Sequence, residues 1–519
     1  MLQKVISELQ VKADLYEKTG LLPIMDYSAA AIKSDTVMTA ELAAELNAAV
    51  AVLENVPEDR KDWHPGSNER VLDLVHPSLF PLIYGRSRIV AEKRIGLDEA
   101  LEYCGTGQTV PEPLATEMQG PSTALKVPSL SNRFQWLPCD VSLNVADGKV
   151  KIESYINNLH PTKHADLYPI IEKFIEKSLP AWDIVYRWPE EFETQRLTTE
   201  KVGPVCTTEE ICREAYECRA SNRPLNDGEE ERGEDEEWEA NYDESARGLL
   251  DFAWFAETHR MDLPDPDPTD TSHIKLKPDH VKSSGFFGNR ERLQVIVKLA
   301  NIHLTPDKPS YEGGTWHVEG QLNEHICATA LYYYDSDNIT DCHLSFQTLA
   351  DREQLVTDLD YNQNDEYSIE RTFAINTGDD TQQFIGSVLT RPGRALFFPN
   401  LYMHQVSPFK LADPSRPGHR KILALFLVDP AIPVISTAHV PPQQRGWWAE
   451  ATQLSGSSAA ASKSRLPPEL RNMVVDSVEF PIGMDDAKKV REELMAERSR
   501  LKEKTDRALG QIEWNFCEH

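Results

Sequence analysis

The stretch "GGTWHVEG", residues 313–320, sets His317 and Glu319 on either side of Val318, directly after two glycines. In an extended segment, side chains two apart point to the same face. One imidazole nitrogen and one carboxylate oxygen can therefore reach one point, which makes two thirds of a metal site. The third ligand is sought downstream, in "RPGRALFFPNLYMHQVSPF". There Gly393 allows a tight turn, "RALFF" reads as a strand, Pro399 and Asn400 break it, and His404 opens the next strand. Two histidines and one carboxylate on one face of an octahedron leave three positions open, the ligand set of non-haem Fe(II) oxygenases. His325 and His343 form no second triad, and His419 is expected at the surface.

A further strand begins at "GHRKILALFLVDP", where Arg420 points along with Ile422 and Ala424. A buried arginine at a strand start needs an anion, and its fork suits a carboxylate. The co-substrate 2-oxoglutarate offers one. Its keto-acid end chelates the metal and its far carboxylate requires a cation. Lys421 takes that role if the register is shifted by one residue.

Elements that could position these groups follow from periodicity. Residues 1–125 read as a mainly helical region, with Ser34 or Asp35 as a cap before "MTAELAAELNAAVAVLENV". Residues 126–290 are mixed. A hairpin turning at Asp147-Gly148 precedes a helix with Ile170, Ile171, Phe174 and Ile175 on one stripe. An acidic, solvated insertion spans 221–247, and a Pro-Asp linker spans 263–271. From 291 to 435 short β-branched and aromatic runs are separated by turns, the pattern of a jelly roll. The tail, 436–519, carries a charged helix exposed on one face. The fold class expected is α+β: a double-stranded β-helix (jelly-roll) core wrapped by the helical N-terminal region and a C-terminal helix.

Composition narrows the function. A formal net charge of −30 over 519 residues argues against coating nucleic acid or membrane, both anionic. No apolar run is long enough to span a bilayer and the first residues lack a signal-peptide core, so a cytoplasmic location is expected. Cys206, Cys212 and Cys218 recur every six residues, a spacing that suits neither zinc nor a compact disulfide scaffold. They read as free thiols in a reducing compartment.

"GGTWHVEGQLNEHICATALYYYDSDNIT", "FQWLPCDVSLNVADGKVKIESYINNLHP" and "RPGHRKILALFLVDP" together resemble the fungal DUF4246 family, whose pattern belongs to the Fe(II)/2-oxoglutarate-dependent oxygenase superfamily. The resemblance covers most of the chain from about 60 to 450. It implies that the helical N-terminal half belongs to the same enzyme, and that iron sits on His317, Glu319 and His404. It points to fungal natural-product chemistry on a small substrate, an amino acid among the candidates, with O2 as the other partner. The outcome would be hydroxylation, desaturation or ring closure. Two other classes share the centre: a cupin-type oxygenase without 2-oxoglutarate and a JmjC-like protein hydroxylase. "SYINNLHP", with Tyr155, Asn157, Asn158 and His160, is either a cavity wall or a structural turn. In "CHLSFQ", alternation puts Cys342, Leu344 and Phe346 on one face. If that face packs on the helical layer, His343 and Ser345 line the substrate pocket.

Overall fold

The computed structural model describes every residue except 1, 114–129, 145–148, 195–202, 209–211, 213–217, 231–245, 263–266, 268, 283–286, 288–289, 351–369, 371–373, 453–466 and 516–519. Helix α1 (Leu2–Thr19) leads through a hairpin of β1 (Leu22–Ile24) and β2 (Ala31–Ser34) into α2 (Ala40–Glu54). Thr39, not Ser34 or Asp35, caps α2: its hydroxyl accepts from Leu42 N, satisfying one of the helix's orphan donors. Ser34 instead accepts from Val37 N, and Asp35 pairs with Arg394.

Past Glu54 the N-terminal region is loops, 3-10 turns and short strands, of which β3 (Val71–Val75) is the longest. β4 (Cys139–Leu143) and β5 (Val150–Ile152) form the hairpin read from alternation; its Asp147-Gly148 turn lies outside the described residues. Next come α3 (Leu167–Arg187), β6 (Gly203–Cys206), α4 (Ala246–Thr258) and β7 (His259–Asp262). Most of the acidic stretch 221–247 and part of the linker 263–271 also fall outside the described residues. The runs after residue 291 are all strands: β8 (Arg292–Leu304), β9 (Ile326–Asp337), β10 (Cys342–Leu349), β11 (Gln382–Thr390), β12 (Ala395–Pro399), β13 (Met403–Val406) and β14 (Gly418–Val428). A long helix, α5 (Met484–Leu509), follows.

The result is a mixed α/β structure built on antiparallel sheets. The larger sheet runs β1-β2-β12-β9-β14-β8-β4-β5, with β3 also paired to β8. The smaller runs β11-β10-β13, and His317 bridges to His404 at its edge. In chain order, β8, the His317 segment, β9, β10, β11, β12, β13 and β14 go larger, smaller, larger, smaller, smaller, larger, smaller, larger. Among the described residues the pairings leave these strands in two sheets and not one closed barrel. β1 to β3 do not wrap this core from outside. They extend its larger sheet, because β12 and β8 would otherwise present bare edges there.

Strict alternation divides the larger sheet's faces. Leu423, Leu425 and Leu427 of β14 join Ala328, Ala330 and Tyr332 of β9 against Ile171, Phe174 and Ile175 of α3 and Leu46 and Val50 of α2. Ile170 is only partly buried at the edge of that stripe. On the other face, Tyr333, Leu396 and Phe398 meet Leu344, Phe346 and Val388 of the smaller sheet. Each such fully buried side chain contributes about 1.5–3 kcal/mol.

Phe174 stacks at 5.2 Å between ring centroids on Tyr332 and is fully buried between α3 and the sheet. Phe174→Ala is expected to lower stability by about 3–5 kcal/mol, since the sheet beneath cannot collapse into the cavity. A denaturant midpoint shift at unchanged slope measures this; a loss below about 1 kcal/mol would mean the α3 interface is not packed as described.

Candidate metal centre

His317 and His404 face each other across two strands. His317 N donates to His404 O at 3.1 Å, and His404 N donates to His317 O at 2.9 Å. Residues that exchange both bonds in this way stand directly opposite, with their side chains on the same face. Their ring centroids lie 4.4 Å apart. Glu319, two residues along, reaches the same point: its Oε1 is 3.4 Å from His404 Nε2 and 3.7 Å from His317 Nε2. One ligand atom from each of the three lies within 4.8 Å of the others.

Tautomers are fixed by the main chain. His317 Nδ1 is 2.7 Å from Thr315 O, and His404 Nδ1 is 3.4 Å from Tyr402 O. A carbonyl can only accept, so each Nδ1 carries the proton and each Nε2 presents a lone pair, as a metal ligand must. Burial alone would raise the Glu319 carboxyl, but the neighbouring His317 and His404 rings hold it well below the usual range. Burial, then the charge of His317, lowers His404. Burial opposes protonation of His317 too, but Glu319 outweighs it and the net direction is up. Ionised carboxylate beside two imidazoles is the donor set of a divalent cation.

The surrounding residues hold this geometry. Gly313 has φ +91°, and a Cβ there would stand 2.7 Å from Val406 O, so only glycine lets the 313–317 segment lie against β13. Asn400, at the break after β12, clamps Glu319 from both sides. Its Oδ1 accepts from Glu319 N and its Nδ2 donates to Glu319 O, each at 2.9 Å. The sequence reading treated Asn400 only as a strand breaker. Its proximity to His404 in "FFPNLYMH" was the available signal.

Arg420 and Lys421 go to opposite faces. Lys421 Nζ is held by Asn47 and Glu54 on the helical side. Arg420 points between the sheets, 1% exposed, with its guanidinium 4.7 Å from the centroid of Tyr333. Nη1 lies 3.1 Å from Cys342 Sγ, while Nε and Nη2 are buried and make no hydrogen bond among the described residues. Leaving donors of a buried cation unmet costs on the order of several kcal/mol. An anion with two oxygens would satisfy them.

A cavity of about 740 Å³ opens beside Glu319. Its walls include His76, Trp136, Lys298, His317 and Met403, and α5 closes one side with Arg498 and Leu509. Lys298, on the inward face of β8, has no hydrogen-bond or ion-pair partner among the described residues. Nearby, His64 Nδ1 lies 2.8 Å from Asp73 Oδ2. Burial would raise the Asp73 carboxyl, but His76 and His64 hold it down to about 2, and burial lowers His76 to about 3. Arg491, 3.6 Å away, adds an ion pair to Asp73, so that carboxylate is braced by Arg491 and by the His64 ring.

Several expected site residues lie elsewhere. Leu344 and Phe346 of β10 pack against Leu396 and Phe398, and Cys342 touches Arg420. The apolar face of β10 therefore points inward, and His343 and Ser345 point away from the metal-binding trio. The reason is that α2 and α3 cover the larger sheet, so β10's apolar partner is the sheet opposite. Tyr155 donates to Val440 O, and Asn157 and Asn158 donate to main-chain oxygens of residues 76–80. His160 Nδ1 accepts from Thr162 N and Lys163 N, and its ring packs on Trp447. "SYINNLHP" is thus a hydrogen-bonded turn that braces the 76–80 loop. It does not line the cavity. His325 does line the cavity, but takes no part in the trio. His419 is half-buried and bonded to Asp335 at 2.9 Å. Cys206, Cys212 and Cys218, read from their spacing as free thiols unsuited to zinc, converge with His259 into a second cluster.

A family model described as "Protein of unknown function (DUF4246)" matches residues 1–451. No curated protein matches the chain. Solved structures that align with part of it include IDO from Bacillus thuringiensis (12% identity, TM-score 0.17, 29% of this chain and 49% of that one). A bsmA homolog from Methylobium petroleophilum PM1 aligns at 12% identity and TM-score 0.17, over 33% of this chain and 57% of that one. The Fe(II)/(alpha)ketoglutarate-dependent dioxygenase TqaL aligns at 12% and 0.18, over 52% and 84%. This chain thus spans about half the length of the first two. Likenesses this slight carry no argument.

Asn400→Ala removes both clamps on Glu319 without touching a candidate ligand. Its expected effect is a 10- to 100-fold loss of divalent-metal affinity, the range for residues that orient ligands. Anaerobic Fe(II) titration of the folded variant measures it. Unchanged affinity would show that Glu319 is held by its own segment.

Proposed function

The chain belongs to the DUF4246 family, and on that premise we propose that it is an Fe(II)- and 2-oxoglutarate-dependent oxygenase acting on a C–H bond of a small, carboxylate-bearing molecule. The observation that carries the reading is the pairing of the His317–Glu319–His404 trio with the unsatisfied, buried guanidinium of Arg420. The alternation of strands between the two sheets supports a jelly-roll reading, in which His317, Glu319, His404 and Arg420, far apart in sequence, would share one interior.

The residues fit the groups they would hold. His317 Nε2, His404 Nε2 and Glu319 Oε1 would hold a ferrous ion, a donor set that suits one with positions left for co-substrate and O2. The far carboxylate of 2-oxoglutarate would take the Nε and Nη2 protons of Arg420. When bound, iron and 2-oxoglutarate supply the oxidising power: one O2 converts substrate C–H and 2-oxoglutarate into C–OH, succinate and CO2. The protein's contribution is placement. Glu319 stays ionised between the two histidines, Asn400 holds its main chain, Trp136 and Met403 keep the cavity partly dry, and Lys298 offers a cation to the substrate. Desaturation or ring closure, and fungal specialised metabolism as the setting, belong to the same reading.

Two alternatives are weaker. A JmjC-like hydroxylase needs an open peptide groove, whereas α5 bounds one side of this cavity. A cupin-type oxygenase without 2-oxoglutarate leaves Arg420 unexplained. An amino acid suits Lys298 better than a neutral metabolite does.

The decisive experiment is succinate release in the presence of Fe(II), 2-oxoglutarate and O2. His317→Ala and His404→Ala are expected to abolish it. Arg420→Ala should raise the 2-oxoglutarate KM by a factor corresponding to about 2–5 kcal/mol, roughly 30- to several-thousand-fold, and Arg420→Lys by less. No succinate from the wild type, or an unchanged KM in Arg420→Ala, would sink the reading.

Lys298→Gln tests the substrate side. It should weaken binding of carboxylate candidates by roughly 10-fold or more while the 2-oxoglutarate KM stays within about 2-fold. The reverse split would assign Lys298 to the co-substrate.

A further inference from the structure

Outside this centre, one cluster of ligand-type side chains has no role in the reaction. Cys206 ends β6, and His259 opens β7 directly opposite it in the antiparallel pair. Cys206 Sγ lies 3.5 Å from His259 Nε2 and 3.5 Å from Cys218 Sγ, and Cys212 Sγ lies 3.3 Å from His259 Nε2. The four ligand atoms all fall within 4.8 Å of one another. We propose that Cys206, Cys212, Cys218 and His259 bind one Zn(II) in a closed, structural Cys3His site.

The distances are those of a tetrahedron. With Zn–S near 2.3 Å and Zn–N near 2.0–2.1 Å, ligand atoms stand roughly 3.5–3.8 Å apart, and a single ion fills the space between them. A disulfide needs about 2.05 Å between sulfurs, and all three cysteines are free. Soft thiolates select zinc over the ferrous ion that suits the histidine and carboxylate donors of the other centre.

Neighbouring groups already orient the ligands. Thr258 donates its hydroxyl to Trp254 O at 2.6 Å, so its oxygen accepts from His259 Nδ1 at 3.0 Å. That hydrogen bond leaves the proton on Nδ1 and turns Nε2 to the thiols, the usual support of a zinc-bound imidazole. Phe255 stacks on the ring at 4.1 Å. Asn222 Nδ2 points to Cys212 Sγ at 3.8 Å, a donor suited to a thiolate.

The surrounding module needs such a staple. Between residues 203 and 262 the described residues include only two buried hydrophobic side chains, Ala220 and Phe255. Two four-residue strands, one helix and a short turn cannot hold together on so little apolar area. A metal joining the end of β6, the loop before Ala220 and the start of β7 fastens both flanks of the acidic stretch. The sequence did not show this because the fourth ligand comes from beyond that stretch, and the six-residue spacing matches no short zinc motif.

Protein purified under reducing conditions without chelator should carry one zinc per chain by elemental mass spectrometry. The double variant His317→Ala, His404→Ala should retain it, whereas Cys206→Ser and Cys212→Ser should lose it. Because a cysteine variant can misfold, the wild type supplies an independent readout. After zinc removal, Co(II) titration should produce a sulfur-to-cobalt charge-transfer band saturating at one equivalent, which the sulfur-free His317 centre cannot give. Zinc should also protect Cys206, Cys212 and Cys218 from alkylation. Absence of the charge-transfer band in the reduced wild type, loss of zinc on mutating His317 and His404 alone, or a Cys206–Cys218 disulfide in place of metal would overturn the proposal.

Discussion

Two main-chain hydrogen bonds between His317 and His404 are the constraint on which the candidate centre depends. Neither residue sits in a long strand. The His317 segment is anchored to the sheet edge through this pair, through Gly314 N to Val406 O, and through Gln405 Nε2 to Gly314 O. Because the paired residues stand opposite, their imidazoles must share a face, and alternation brings Glu319 to the same face. Substituting Gly313 would push the segment off β13 and separate the ligands before any of them was touched. The ligand types alone do not make the site; the close backbone contact converts them into one.

The layers around that contact have separate duties. α2 and α3 cover one face of the larger sheet, so its other face is available to the smaller sheet and to the interior where Arg420 points. Tyr333 and Phe409 flank the Arg420 guanidinium with rings, and Cys342 meets one nitrogen. The remaining donors stay dry and unmatched. Such a cation is maintained only because the surrounding core is stable enough to carry the cost. The arrangement is preorganisation in the plain sense: the desolvation of the arginine is met on folding, so a carboxylate arriving there gains the interaction without that cost.

Legibility in the sequence followed interaction range. Period-two runs after residue 291 and the α3 stripe were readable because each face is buried against one partner, which alternation records locally. The convergence of His317 and Glu319 was readable because a two-residue spacing puts them on one face, and His404 because it opens the strand after a break. The failures share a cause. Which way β10 faces depends on what covers the far side, so His343 and Ser345 were assigned to the interior when Leu344 and Phe346 occupy it. "SYINNLHP" looked like a cavity wall because polar residues bonded to main-chain carbonyls some 80 positions upstream leave no local trace. β1 to β3 were hidden by their brevity, since strands of three to five residues carry little periodicity.

Charge resolves what looks like a conflict between an acidic protein and the anionic substrate proposed for it. At −30, the chain repels anions at long range. At physiological ionic strength that repulsion decays over about 8 Å, while the cations that matter lie inside the cavity walls. Lys298 is within electrostatic reach of His317, His76 and Asp73. On α5, Arg498 is committed to Glu324 at 2.7 Å and Lys502 to Asp506. Their charges are therefore largely spent within the protein, and Lys298 remains the one cationic cavity residue without a partner among the described residues. In the proposed reading, selectivity would rest on Lys298, a cation with no hydrogen bond of its own among the described residues. On the proposed reading, a dianion would leave one carboxylate without a cation and a neutral molecule would leave Lys298 without an anion, which is why a monocarboxylate is the substrate proposed.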